Sequence, residues 1–123
     1  MQLKAYSIIT HKLDFVCFQS IYTTTHNKGG IIMGSKIITV QTNTRKKGKL
    51  DQRTLSCQTL EFEGEKTRIY VIEETKRDLM RKNFIIEAGC RIIDGGTCYP
   101  IQTVICSGLP IRYFLQVSTD FTI

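Results

Sequence analysis

The residues best suited to chemistry in this sequence are two histidines, five cysteines and one short basic run. Neither His11 nor His26 stands at zinc-ligand spacing from a cysteine. The cysteines are odd in number, widely spaced and without a Cys-x-x-Cys pair; they are Cys17, Cys57, Cys90, Cys98 and Cys106. Such spacing argues against a secreted disulfide framework and against a metal site. We therefore expect reduced thiols and no bound metal or cofactor.

Motifs of catalysis are weak in the same sequence. Ser107-Gly108 lacks the G-x-S-x-G context of a nucleophile elbow. The glycine-rich stretch Gly29–Gly34 suggests a phosphate loop, but no Lys-Ser/Thr follows it and it leads into a predicted strand. A cysteine nucleophile paired with a distant histidine stays open as an alternative. We expect a protein that is not an enzyme.

The basic run lies at Thr44–Lys49 and contains Arg45, Lys46 and Lys47 before Gly48. Four cations within five residues cannot lie in a hydrophobic core. Two interpretations remain: a solvated hairpin tip, or a mobile loop that neutralises phosphates. Binding through such a loop would depend steeply on salt, because each phosphate contact releases condensed counterions.

The overall charge points to the same class of partner. The chain has 17 basic and 11 acidic residues, a net charge of +6 and a pI near 9.2. Such an excess favours polyanions, either nucleic acid or an acidic membrane surface. No segment approaches the roughly 18 apolar residues that a membrane span needs, and the first residues do not resemble a signal peptide. We expect a cytoplasmic protein without a membrane partner.

Size and composition are those of one globular unit. A chain of 123 residues can bury one compact core but not two ordinary ones. Hydrophobic residues make up 41% and charged residues 23%, which is typical of a folded chain. We place a β-barrel-like domain at residues 31–123. Residues 1–30, which contain the β-prone stretches Tyr6–Ile9 and Phe15–Ile21, are either a hairpin packed on the core or an extension preceding it.

The centre of the chain, Lys66–Asp94, contains three short aliphatic runs. They are Ile69–Ile72, Phe84–Ile86 and Arg91–Ile93, and each is predicted to be a strand. The charged connection Glu73–Lys82 between the first two has acidic residues first and basic residues last, as a helix dipole prefers.

That connection is predicted to form at most one short helix, at residues 73–82. Ten residues do not form a stable helix alone, so Leu79 and Met80 must anchor it to the sheet. Ion pairs are expected four residues apart, between Glu73 and Arg77 and between Asp78 and Lys82.

Further β-prone runs occur on both sides of this centre. Leu55–Phe62 pairs with residues 67–73 in a predicted hairpin, and a shift of hydrophobic phase near Thr59 indicates a bulge or a bend. A turn is predicted at Asp94–Thr97 and a special backbone angle at Gly89. The remaining predicted strands are 37–41, 99–106 and 111–117. Short strands at this spacing indicate an all-β fold, a small antiparallel barrel or sandwich.

A family resemblance rests on the order of these features. Lys66-Thr67-Arg68-Ile69 enters a strand, and a polar connection closes on Leu79-Met80-Arg81. Phe84-Ile85-Ile86, Gly89-Cys90, Ile92-Ile93-Asp94 and a hairpin containing Gly96 follow. In this order, residues 66–117 resemble the β domain of the archaeal and eukaryotic small-subunit ribosomal protein eight family. The resemblance implies an RNA-binding structural protein anchored by Arg68, Arg81 and the Arg45–Lys49 loop.

The sequence therefore predicts a non-catalytic protein that contacts the phosphates of a ribosomal-type RNA within a ribonucleoprotein. The predicted contact residues are Arg45, Lys46, Lys47, Lys49, Arg53, Lys66, Arg68, Arg81 and Lys82. Tyr70, Tyr99 and Tyr113 either stack on bases or are ordinary sheet residues.

The alternative is a small protein-interaction module, such as a viral or host-directed accessory protein, that pairs through an exposed edge strand. Ile111–Val117 and Thr119–Ile123 are its candidate edges. A contiguous basic surface would favour RNA, whereas dispersed basic residues would favour the interaction module.

Overall fold

The computed structural model describes residues 31–32 and 34–123. His11, His26, Cys17 and the two interpretations of residues 1–30 lie outside this part of the chain. The described elements are β1 (Ile31–Ile32), β2 (Lys36–Lys46), β3 (Lys49–Glu61), β4 (Thr67–Thr75), α1 (Lys76–Arg81), β5 (Arg91–Asp94), β6 (Thr97–Pro100), β7 (Thr103–Ser107) and β8 (Arg112–Ser118). No helix in these residues is long and apolar enough to span a bilayer.

The strands form one antiparallel sheet in the order β6-β5-β2-β3-β4-β8-β7, curled into a half-barrel, with β1 added beside β3. The all-β prediction with one short helix is confirmed. Alternate residues of each strand point into the curl, where Val40, Cys57, Tyr70, Ile72 and Leu115 are fully buried. These residues form the core that holds the strands in register.

The bend between β6 and β7 brings the two edges of the sheet near each other. The amide of Ile101 donates to the carbonyl of Cys90 at 2.8 Å, and the amide of Gln102 donates to the carbonyl of Gln116 at 2.8 Å. The predicted strand 99–106 is therefore two shorter strands, one paired with β5 and the other with β8. β8 has neighbours on both sides, so the expectation that Ile111–Val117 is an edge is wrong.

The predicted helix is shorter than its charged connection. β4 continues to Thr75, whose hydroxyl caps the helix by accepting from the amide of Asp78 at 3.2 Å. Leu79 is fully buried in the core, whereas Met80 is 50% exposed, so only Leu79 anchors the helix. The ion pairs differ from those expected as well, since Arg81 lies 3.9 Å from Asp78 and Lys82 lies 2.7 Å from Glu74.

Phe84–Ile86 is not a strand, which corrects the prediction from its aliphatic pattern. The amide of Phe84 donates to the carbonyl of Leu79 at 2.9 Å, so the segment follows directly from the helix. Phe84 and Ile86 enter the core while Ile85 faces solvent. The buried residues of this segment close one end of the barrel, and the segment pairs with none of the described strands.

Of the bulge or bend predicted near Thr59, the bulge is wrong. β3 and β4 pair without a break from Cys57–Ile72 to Glu61–Arg68. Thr59 points into the core, and Leu60 is buried on the outer face of the sheet. The hydrophobic phase shifts because this part of β3 is buried on both faces. At Gly89 the predicted special angle is confirmed by a φ of 92°.

Candidate nucleic-acid interface

The basic run forms the tip of a hairpin arm that extends beyond the rest of the sheet. β2 pairs with β3 as far as Lys46 and Lys49, whereas β5 pairs with β2 only over Thr39–Gln41. On the other side, β4 pairs with β3 only over Cys57–Glu61. Residues 42–52 therefore protrude as a two-stranded ribbon, which we call the arm.

The turn of the arm is built by two residues in the left-handed region. Lys47 has a φ of 54° and Gly48 a φ of 79°. Two successive residues of this kind match the twist of a tight hairpin. The guanidinium of Arg45 donates to the carbonyl of Gly48 at 3.1 Å, which holds the turn from one side. The basic run is thus an ordered hairpin tip.

The cations of the arm are exposed, and most lack an acidic partner in the part of the chain that the structure describes. Lys46 lies 3.2 Å from Asp51 across the hairpin. Within residues 34–123, Arg45, Lys47 and Lys49 have no carboxylate within ion-pair distance. Paired charges gain little from an external anion, whereas unpaired exposed cations can neutralise phosphates.

The base of the arm is fixed by Arg91, which no motif in the sequence marks as a functional residue. Its Nε donates to Gln41 Oε1 at 2.9 Å, and its Nη2 donates to the Thr42 carbonyl at 3.5 Å. The hydroxyl of Thr42, which is buried, donates across the hairpin to the Asp51 carbonyl at 3.3 Å. These bonds orient the arm on the barrel. No local sequence signal joins Gln41 to Arg91, because their pairing depends on the fold.

Arg53 lies at the foot of the arm and packs into the molecule. Its guanidinium carbon stands 5.7 Å from the centre of the Phe84 ring, a cation–π distance. Its Nε is inaccessible to solvent and has no partner among the described residues. Arg53 therefore supports the arm against the segment after the helix.

Arg81 and Lys82 lie at the same end of the barrel as the arm, because β4 runs antiparallel to β3 and the helix follows β4. Both are exposed, and both are engaged with the acidic partners Asp78 and Glu74. They flank the arm from a different element.

Lys66 and Arg68 lie at the opposite end, where β4 begins. Lys66 is paired with Asp120 at 3.0 Å. Arg68 points into the curl, where it donates to Glu61 and to the hydroxyls of Tyr70 at 3.1 Å and Tyr99 at 3.4 Å. The structure therefore does not bring these two predicted contact residues together with the arm.

Asp94 is the acceptor at the centre of this internal network. It accepts from Lys36 Nζ at 2.9 Å and from the Tyr70 hydroxyl at 2.8 Å. Burial alone would raise the pKa of Asp94, but the hydrogen bonds and charges of Lys36, Tyr70 and Arg68 outweigh it and lower the pKa. For Arg68, burial opposes the charge, yet hydrogen bonds to Tyr70 and Glu61 raise its pKa further.

The thiol and tyrosine nearby are held neutral. Burial, assisted by the charge of Asp94, raises the pKa of Cys57 to about 12. Burial also raises the pKa of Tyr70.

Tyr70 and Tyr113 are buried, and Tyr99 is half-buried against Arg68, so these tyrosines belong to the sheet interior. The four described cysteines are free, and no cluster of three metal-ligating side chains occurs in the described part of the chain.

The charges of the described residues separate along the barrel. The arm end carries the basic residues Arg45, Lys46, Lys47, Lys49, Arg53, Lys76, Arg77, Arg81, Lys82, Arg91 and Arg112, with the acidic residues Asp51, Glu74, Asp78 and Glu87. The opposite end carries the basic residues Lys66 and Arg68, with the acidic residues Glu61, Glu63, Glu65, Asp94 and Asp120. Lys36 and Glu73 lie between the two ends, because Lys36 is level with Ile72 across β3 and the Ser35 hydroxyl donates to Glu73 Oε1 at 2.6 Å. Basic charge is in excess only at the arm end.

Comparison with protein-family models, curated proteins and solved structures found no match.

Proposed function

We propose that this chain is a non-catalytic RNA-binding protein whose arm contacts RNA phosphates. The observation that supports this most directly is the concentration of basic residues at one end of the barrel, with the arm as its most protruding part. Basic residues gathered at one end attract a polyanion more strongly than the same cations scattered over the whole molecule, whose separate charges would largely be screened.

The contact is with the backbone of the RNA. The arm offers exposed lysine and arginine, and the tyrosines suited to stacking on bases lie in the sheet interior. Phosphate contacts position a protein on nucleic acid without reading its sequence. We therefore propose recognition of charge and shape.

The setting is a ribonucleoprotein in the cytoplasm, with a ribosomal-type RNA as the partner. The resemblance of residues 66–117 to the small-subunit ribosomal protein eight family supports this setting. The curled antiparallel sheet is compatible with it.

The test is a titration of the purified protein with a structured RNA and with a duplex DNA of the same length, at several salt concentrations. We expect RNA binding at about micromolar affinity or tighter near physiological salt, above the affinity for DNA. Replacing Arg45, Lys46, Lys47 and Lys49 together by alanine should weaken binding and flatten the salt dependence by up to about one unit per lost contact.

The matched control is Lys66→Ala, which removes an exposed lysine at the opposite end. We expect this variant to bind RNA as the parent protein does. Unchanged affinity and salt slope in the quadruple variant would remove the arm from the mechanism. Binding that disappears at modest salt, equally for RNA and DNA, would contradict the RNA proposal. It would favour the protein-interaction module, with the edge strands β6 and β7 as its candidate contacts.

A further inference from the structure

The outer face of the half-barrel carries a second apolar cluster, separate from the core inside the curl. Leu60, Ile69 and Phe114 come from β3, β4 and β8, and Ile105 comes from β7; these residues are 1%, 1%, 2% and 6% exposed. Phe62 extends the cluster beyond the end of β3. These residues alternate with those that point inward, so they lie on the opposite face of the sheet.

A single sheet does not bury its own outer face, so this cluster requires a layer above it. The other half of the same face is open to solvent, as Ile37 on β2 is 68% exposed. None of the described elements outside the sheet supplies the layer. The helix and the segment after it bury Leu79, Phe84 and Ile86 in the inner core.

A buried polar atom on the same face indicates a covering layer independently of the apolar cluster. Gln116 of β8 stands opposite Ile69 of β4, so its side chain shares the face of the cluster. The Gln116 Oε1 atom is inaccessible to solvent and has no hydrogen-bond partner among the described residues. Amide oxygens on an open sheet face are normally hydrated. The cover therefore extends beyond the apolar side chains.

The first described strand, β1, lies beside this face. β1 pairs with β3, with Ile31 opposite Glu61 and Ile32 opposite Leu60. Ile31, where the described part of the chain begins, therefore lies beside the Phe62 end of the cluster. Thirty residues precede Ile31, and an extended chain covers about 3.3 Å per residue, far more than the width of four strands. Two apolar stretches, Tyr6–Ile9 and Phe15–Ile21, lie within reach.

We propose that the outer face of β3, β4, β8 and β7 is a docking surface for residues 1–30 of the same chain. The apolar cluster matches the apolar stretches of that segment, and the tether at Ile31 raises their effective concentration at this face above that of any separate partner. The docking is independent of RNA binding, which we place on the arm.

The test uses the full-length protein with a photoreactive residue on the face. Gln58 is half-buried and lies opposite Val71, which packs against the cluster, so Gln58→p-benzoylphenylalanine places the probe beside the docked segment. After irradiation and proteolysis, we expect cross-linked peptides from residues 1–30. Mixing isotopically heavy and light protein before irradiation distinguishes links within a chain from links between chains, and circular dichroism verifies folding.

The control is Ile37→p-benzoylphenylalanine, on the open half of the same sheet, where we expect complete loss of the link to residues 1–30. Gln116→p-benzoylphenylalanine is a second position on the covered face and should give the same link as Gln58. Links only between heavy and light chains would overturn the proposal in favour of a second copy on this face. Absence of any link to residues 1–30 from both covered positions would overturn it as well.

Discussion

Asp94 is the residue on which the internal charges of the barrel converge. Its carboxylate joins Lys36 of β2 to Tyr70 of β4, and Arg68 lies 3.9 Å away. Only 9% of the Asp94 side chain is exposed. A carboxylate this buried is tolerated because cationic and hydroxyl donors surround it. The sequence shows Asp94 only as the first residue of a glycine turn, and this role depends on strands far apart in the chain.

Asp94→Asn should destabilise the protein by about 2 kcal/mol at neutral pH, because Lys36 and Arg68 lose a charged acceptor. The lowered pKa of Asp94 sets the sign of the pH dependence. The stabilisation from the Asp94 carboxylate is complete above the ordinary pKa of aspartate, about 3.9. It is lost as the pH falls through the lower pKa of Asp94 in the folded state. Urea unfolding at about pH 7 and about pH 3 should show the gap between parent and variant narrowing in acid.

The control for this prediction is Asp120→Asn, which breaks the exposed pair with Lys66. Exposed pairs contribute little, so we expect almost no change in unfolding free energy at either pH. Equal losses for Asp94→Asn and Asp120→Asn would contradict the view that the buried network stabilises the barrel.

At the scale of elements, the short helix α1 depends on tertiary contacts for its stability. Six residues are far below the length at which a helix is stable in water. The Thr75 cap orders its first turn, and Leu79 fixes it to the core. Since Leu79 and Met80 are adjacent in sequence and similar in hydrophobicity, the sequence predicted both as anchors, whereas helical geometry turns only one inward.

Leu79→Ala should lower the free energy of unfolding by about 3 kcal/mol, because it leaves a cavity in a closely packed core. Met80→Ala should change it by less than about 0.5 kcal/mol, since that side chain is half exposed and alanine favours the helix. Chemical denaturation of the two variants measures the difference. Similar losses would mean that both residues anchor the helix.

The sequence predicts an element correctly where neighbouring residues in one short stretch of chain determine it, and fails where distant parts of the fold do. The helix, the Asp94–Thr97 turn and the angle at Gly89 follow from residue types in one short window. Phe84–Ile86 is predicted as a strand because a run of aliphatic and aromatic residues is typical of one, whereas in the structure this run is a connection that follows the helix and buries Phe84 and Ile86. A shift of hydrophobic phase such as that at Thr59 is typical of a bulge or a bend. Burial of β3 on both faces produces the same pattern, and that burial depends on other parts of the molecule.

At the scale of the whole molecule, the antiparallel fold determines where the charges gather. The arm and the helix are about 30 residues apart in sequence, yet β3 and β4 run in opposite directions and place both at one end. The basic run alone could be predicted to contact phosphates. That Lys76, Arg77 and Arg112 lie at the same end of the barrel as the arm, and that Lys66 and Arg68 do not, follows only from the fold.

Lys76 and Arg77 begin the helix at the arm end of the barrel. Their replacement tests whether this whole end of the barrel acts in binding. If RNA lies across the arm end, Lys76→Ala combined with Arg77→Ala should weaken binding and flatten the salt slope by up to about two units. Alanine is favourable in a helix, so the fold should persist. Titrations at several salt concentrations should show this loss adding to that of the arm variant, because the two sets lie on different elements. A parent-like slope in the double variant, with the arm variant impaired, would confine binding to the arm.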